Sequence, residues 1–260
     1  MHKKCILGIS GQTNSGKDTI ADHLIQNQGF IRVALADPIK RFCRDVFGFT
    51  EKQLWGPSKY RNSPDARYKS SAAWTRAEKQ LQAVGQDYCT AWNVPDAFPA
   101  LVHWFFWLKA KQVEISPRVV LQLMGTEFGR EAVGENIWID ILIATAKKLL
   151  HEDGTVEQLS YSPVQGVFAS AGARIQGVLV SDVRFHNEFL AIRKEGGSVI
   201  RVVRPETDEA AAMVGIPAHA SEASDFNFDD FDFVVQNDST IADLQNNVDV
   251  FINLFYLTHH

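Results

Sequence analysis

The feature that most restricts this chain is a GxxxxGK frame, Gly11-Gln-Thr-Asn-Ser-Gly16-Lys17, placed between an apolar run (5–9) and apolar positions Ile20, Ala21, Leu24 and Ile25 at helical spacing. That order predicts strand, glycine turn, helix. Glycines at both ends let the backbone fold so that its amides face phosphate oxygens, and the helix N-terminus adds the positive end of its dipole. Lys17 is then expected to reach the outer phosphates. Asp18 stands where such loops ordinarily carry Ser or Thr, and Thr19 follows it. Beside a triphosphate, Asp18 has a use facing magnesium, a metal-bound water or the helix's own amides, so Asp18 and Thr19 are the candidate metal residues. A capped helix after a tight turn would also explain Asp18, but not the paired glycines with Lys17.

Downstream, short apolar runs at 31–35, 178–180, 198–203 and 231–235 alternate with helical patterns, including one opened by Asp37-Pro38 and others at 138–150, 188–194 and 241–254. Continuous rather than alternating apolar strands argue for a sheet covered on both faces, with ligands at the strands' carboxyl ends. The expected fold is therefore α/β, a P-loop NTPase three-layer fold with a five-stranded, mainly parallel sheet. Residues 50–117 lose the strand pattern and read as a helical acceptor-binding or lid insertion, with helices at 75–84 and 100–110. Ser116-Pro117 predicts an N-cap and first helical residue, with that helix ending near Gly125. Residues 152–174, rich in Gly, Ser and Gln, read as a flexible excursion, either a hairpin or a mobile lid. One domain spanning 1–260 accommodates all of this.

Composition narrows the function classes. With a net charge of −5 and a pI near 5.9, the chain has no global basic field for a nucleic-acid backbone, so direct nucleic-acid binding is not expected. Cys5, Cys43 and Cys89 are odd in number and widely spaced, which fits reduced thiols and a cytoplasmic setting better than disulfides or zinc. The apolar run after Lys3 and Lys4 is short for a signal-peptide core, and no stretch has the length for a membrane span. The aromatic residues Trp92, Phe98, Trp104, Phe105, Phe106 and Trp107 are read as packing in preference to base stacking.

Charged residues cluster at the predicted ligand edge. The apolar run ending at Val180 delivers Asp182, with Arg184 and Glu188 close behind. A carboxylate there orients a metal or an acceptor, while cations neutralise a transferred phosphoryl group. A helix-capping Asp182 with surface charges is the plainer alternative. Lys40 follows the second strand, and Arg61, Arg67, Arg118 and Arg130 are arginines of the kind that clamp phosphates, though composition does not separate them from solvated side chains.

Taken in order, Ser15-Gly-Lys-Asp-Thr19, Leu35-Ala-Asp-Pro-Ile-Lys40, Leu121-Gln-Leu-Met-Gly-Thr126, Ser181-Asp-Val-Arg184 and Val202-Val-Arg-Pro205 resemble the bacteriophage deoxynucleoside monophosphate kinases, as does Val234-Val-Gln-Asn-Asp-Ser239. The likeness runs nearly end to end but is poor at 50–117 and 152–174. It implies phosphorylation of deoxynucleoside monophosphates with ATP and Mg2+, by a homodimer in an infected host's cytoplasm. Residue by residue, it implies that Asn14, Gly16, Asp18 and Thr19 surround ATP with Lys17, and that Ile39, Lys40 and Arg67 approach the acceptor. Arg118, Gly125 and Trp138 would line the nucleotide sites, and Asp182, Arg184 and Glu188 would form the strand-end cluster. Related phage enzymes can carry basic residues in the loop where this chain has Thr13 and Asn14. Phosphate contacts are therefore expected from Arg118 or Arg130, with Lys17, Arg130 and Asp182 as the catalytic set. Phosphomevalonate kinases share a similar SGKD loop, and a nucleotide-switched DNA-handling ATPase is the alternative from another class.

Overall fold

A computed structural model describes residues 5–111, 113–151, 159–161, 168–170, 175–205 and 230–258. Its strands, in chain order, are β1 (Cys5–Gly11), β2 (Phe30–Arg32), β3 (Leu159–Tyr161), β4 (Phe168–Ser170), β5 (Gly177–Val180), β6 (Ser198–Val203) and β7 (Phe233–Gln236). The five-stranded sheet runs β2-β5-β1-β6-β7 with every ladder parallel. From β1 the chain steps outward to β2, returns to β5 beside β1, then continues to β6 on the other flank. The direction of winding thus changes around β1, and its carboxyl-end loop occupies the position where open parallel sheets receive ligands.

Alternation along β1 sets the layers. Cys5, Leu7 and Ile9 join one buried cluster with Ile20, Ala21 and Leu24 of the helix Lys17–Asn27, and with Leu244, Val248, Phe251 and Ile252 of the closing helix Ile241–Thr258. Gly8 points the other way, where a Cβ would press within 2.9 Å of Ile192 in the helix His186–Lys194. Helices therefore cover both faces, and the fold is the three-layer α/β arrangement of the P-loop NTPases.

Several boundaries move for local reasons. The second strand ends at Arg32 rather than running to 35, although the Val33 amide still donates to the Leu179 carbonyl at 2.9 Å. The last strand starts at Phe233 rather than 231. There the Asp232 carboxylate takes the Val199 N–H at 2.8 Å, replacing a main-chain acceptor with a side chain. Within 152–174, β3 and β4 pair antiparallel, as a hairpin would, and the remainder of that excursion, with its lid reading, lies outside the described residues.

The described residues divide into two compact units. One comprises those of Met1–Ala34, Ile143–Tyr161 and Phe168–His260, and the other those of Leu35–Leu142. The second unit is helical, built on Asp37–Phe47, Ser71–Ala91, Phe98–Ala110 and Pro117–Leu123, so the helices expected at 75–84 and 100–110 are longer than their apolar patterns. Phe47 is fully buried, and its ring lies 5.7 to 6.4 Å from those of Phe42, Phe49, Tyr68, Trp74, Trp104 and Phe105. Trp92, Trp104 and Phe105 are buried here, in agreement with packing, whereas Phe106 is exposed. Burial of Cys43 pushes its thiol pKa well above the ordinary value, which leaves it a poor nucleophile.

One expectation is corrected in this unit. The Ser116 hydroxyl caps its helix as expected, accepting from the Val119 amide at 3.2 Å, but the chain does not leave helical geometry at Gly125. It widens into π-helical turns over Met124–Val133, with the Gly134 amide bonded to the Gly129 carbonyl five residues back at 2.9 Å. The Trp138 indole donates to the Gly125 carbonyl at 2.9 Å and packs against Gly129, where a Cβ would collide with the ring. Gly129 makes room for that indole and Gly125 supplies its acceptor, and neither ends the helix. Among the described residues, no helix is long and apolar enough to cross a membrane.

Candidate functional site

The loop between β1 and its helix holds its shape through backbone geometry few residues adopt. Gly11 and Gly16 have φ of 151° and 106°, and Asn14 sits in the left-handed region at 66°. A Cβ at Gly11 would lie 2.6 Å from the Val202 carbonyl oxygen and 2.7 Å from the Ser15 hydroxyl. The Ser15 amide closes the turn on the Gln12 carbonyl at 3.2 Å. Inside this tight coil the Ser15 hydroxyl is buried with no hydrogen-bond partner among the described residues, an orphaned polar group in a loop shaped for an anion.

Lys17 folds back over the loop, its Nζ donating to the carbonyls of Gly11 at 2.6 Å and Gln12 at 2.7 Å. Two main-chain oxygens thus hold the ammonium above the coil, where an incoming phosphate would offer it stronger, charged acceptors. The helix begins at Lys17, after Gly16 at its N-cap, with no side-chain cap, so the capping alternative for Asp18 is not realised. Its carboxylate instead pairs with Arg32 at the end of β2, 2.9 Å away and with the carboxylate largely exposed.

A pocket of about 730 Å³, within the ordinary range for small-molecule sites, opens over this loop. Asn14, Gly16, Lys17, Asp18 and Thr19 line it from the loop and the first helical turn. Arg204, Pro205, Asn237, Asp238 and Ser239 contribute from beyond the carboxyl ends of β6 and β7, with Ile241 and Leu244 from the closing helix. The pocket therefore combines amides and one lysine suited to phosphates with a partly apolar lining. In the sequence, Asn237 and Arg204 stand out only as members of the Val234–Ser239 and Val202–Pro205 motifs. Their signal was position, immediately after apolar strands: β6 pairs parallel with β1 and β7 parallel with β6, which brings their ends to the same edge.

Asp182 and Arg184 follow β5 on that edge, the Val183 amide binding the Ile9 carbonyl at 2.9 Å. They pair with each other, Arg184 Nη2 lying 2.7 Å from Asp182 Oδ2, and are not among the residues that line the 730 Å³ pocket. Glu188 is buried and accepts the Arg184 and Phe185 amides at 2.7 and 3.1 Å. Its carboxylate thus holds the loop carrying the other two in shape.

The remaining expected site residues belong to the helical unit. Lys40 lies 3.8 Å from the buried Asp37 carboxylate and 5.6 Å from the Trp55 ring centroid, while the Trp55 indole donates to the same Asp37 at 3.1 Å. Ile39 packs against Gly125, which the Trp138 indole holds, so Ile39, Gly125 and Trp138 come together. Arg67 clasps Asp65 through Nε at 2.8 Å and Nη2 at 2.6 Å, and also reaches the Gly48 carbonyl. Arg118 is exposed in the first turn of its helix, and Arg130 is carried on the π-helical turns. Among the described residues, no group of three or more His, Cys, Asp or Glu side chains is placed to hold a metal ion. Asp18 and Thr19 suit a magnesium ion that takes most of its ligands from phosphate and water.

No protein-family model matches the chain. A curated protein of Acanthamoeba polyphaga mimivirus, named "Putative deoxynucleotide monophosphate kinase", is 24% identical over 243 residues, which cover 94% of this chain and 93% of that protein. The chain is thus similar over nearly its whole length to a viral protein named for nucleotide phosphorylation.

Proposed function

We propose that this protein is a P-loop kinase that transfers the γ-phosphoryl group of ATP to deoxynucleoside monophosphates, yielding diphosphates for DNA synthesis. The observation that carries the reading is the glycine-framed loop with Lys17 held over it, opening on a pocket of nucleotide size at the carboxyl edge of a parallel sheet. The similarity to the mimivirus protein supports the same substrate class.

In this reading ATP phosphates lie on the loop from Gly11 to Thr19, and Lys17 leaves its carbonyl partners to bind them. An oxygen of the acceptor phosphate attacks the γ-phosphorus, the bond from that phosphorus to the β–γ bridging oxygen breaks, and ADP leaves. An acceptor phosphate is already ionised near neutral pH, so no strong general base is needed, and positioning with cationic stabilisation dominates. Asp182 orients and Arg184 neutralises, on a loop that Glu188 keeps in place. Asp18 and Thr19 would hold Mg2+, which lowers the charge repulsion among the phosphates. Ile39, Lys40, Arg67, Arg118, Gly125 and Trp138 are assigned to nucleotide recognition, and Arg130 to the transferred phosphoryl group.

ADP release, followed by coupled assay with ATP and magnesium, tests this against dGMP, dTMP, dCMP, dAMP, their ribonucleotide forms and phosphomevalonate. Turnover confined to deoxynucleotides is the expected result. Turnover of phosphomevalonate alone, or acceptor-independent hydrolysis stimulated by DNA, would overturn it.

A further inference from the structure

The phosphate loop is braced from the far end of the sequence. Asn237 Nδ2 donates to the Ser15 carbonyl at 2.8 Å, across a separation of 222 residues. In a planar trans peptide the C=O and N–H point in opposite directions. Fixing the Ser15 carbonyl on Asn237 therefore fixes the Gly16 N–H facing away from Asn237.

Two further observations make this brace a built feature. A Cβ at residue 16 would lie 2.6 Å from Asn237 Nδ2 and 3.2 Å from Leu244 Cδ2, so the second glycine of the frame is demanded by the brace as well as by its positive φ. Asn237 is itself anchored, because its own amide donates to the Val203 carbonyl at 2.8 Å, immediately after β7 ends and beside Arg204. A side chain on a rigid strand end holds geometry better than one on a free loop.

We infer that Asn237 is a positioning residue of the phosphate site: by holding the Ser15–Gly16 peptide it presents the Gly16 amide to a nucleotide's phosphate oxygens. The inference rests on the nucleotide-binding reading above. It requires a hydrogen-bond donor at residue 237 and not merely a side chain of that volume. An aspartate there has nearly the same shape, but its carboxylate would face the Ser15 carbonyl with oxygen against oxygen, and only its protonated form could donate. Lys17, Asp18, Arg204 and Asp238 line the same pocket, so the pH dependence of the native protein is the reference for any variant.

Calorimetric titration with ATP and magnesium from pH 5 to pH 8, with a melting curve for each protein, tests this on the wild type, Lys17→Ala, Asn237→Ala and Asn237→Asp. The wild type is expected to bind, and Asn237→Ala to bind roughly five- to tenfold more weakly, the loss of one hydrogen bond. Asn237→Asp is expected to be weaker than Asn237→Ala at pH 8 and to recover toward wild type as pH falls. The KM for the acceptor should be unchanged in both variants at residue 237. Wild-type affinity in both variants across the range would overturn the role of Asn237. So would an Asn237→Asp profile that follows that of Asn237→Ala, and this arm stands even if the alanine variant melts early. If the wild type itself does not bind ATP while its melting curve is cooperative, the nucleotide reading falls, and the inference with it.

Discussion

Around Lys17 the chain is held by glycines, hydrogen bonds to main-chain carbonyls and the Asn237 side-chain amide, whereas around Phe47 it is held by rings in edge and stacked contact. In the loop, polar atoms stay available, and the buried Ser15 hydroxyl has no hydrogen-bond partner among the described residues. The aromatic cluster offers its surroundings little polar chemistry and a large buried apolar surface. A site that must exchange its own hydrogen bonds for those of a ligand cannot be built by close packing alone. The unit that carries it therefore spends conformational freedom on positive φ angles and takes its stability from the sheet beneath. Substitutions in the two regions should accordingly separate stability from binding.

The largest effect expected is on the packed side. Phe47→Ala should lower unfolding stability by about 3 to 5 kcal/mol in denaturant titration, through lost burial and the cavity left behind. A loss below about 1 kcal/mol would mean that the rings around Phe47 do not carry the unit. Next, Lys17→Ala should reduce phosphoryl transfer about 100- to 1000-fold, the scale of removing one donor to developing charge. Its melting temperature should stay within about 2 °C of wild type, as for a substitution outside a packed core. A large fall in melting temperature would blur the contrast, because the lysine would then be holding the fold.

The smallest effect lies in an ion pair of the helical unit and sharpens the comparison by pH. Hydrogen bonds from the Arg67 guanidinium, helped by the Gln53 amide, hold the Asp65 carboxyl below the usual carboxylate range despite partial burial. The folded form therefore releases its proton more readily than the unfolded chain. The associated stability is fully present above the unfolded value near 3.9 and is lost as pH falls through the lower folded one. Acid melting curves should show Asp65→Asn losing less stability than wild type as pH falls below about 4. Because the Arg67 side chain is 42% exposed, screening keeps this effect modest. Parallel acid profiles for the two proteins would remove the pair from the stability account.

Much of the sheet unit was legible in the sequence because its signals are local. An apolar run, a glycine frame and a helical repeat fall in consecutive residues, and Ser198–Val203 reads as a strand from composition alone. The Asn237 brace was not legible, since nothing near Ser15 announces a partner 222 residues away. The expected end of helix at Gly125 failed for a related reason. Glycine is read as a terminator by local propensity, yet here the Trp138 indole, 13 residues on, takes the Gly125 carbonyl, and Gly129 leaves the space for its ring. The Arg32 partner of Asp18 likewise depends on how β2 meets the sheet, through β5 and not through β1.

The account stands most directly on transfer itself. Incubation of the wild type and Lys17→Ala with γ-labelled ATP, magnesium and each deoxynucleoside monophosphate, followed by separation of the products, reads where the label goes. The account predicts label in a deoxynucleoside diphosphate with the wild type and only traces with Lys17→Ala. Label appearing as inorganic phosphate at the same rate with or without a deoxynucleoside monophosphate would contradict it.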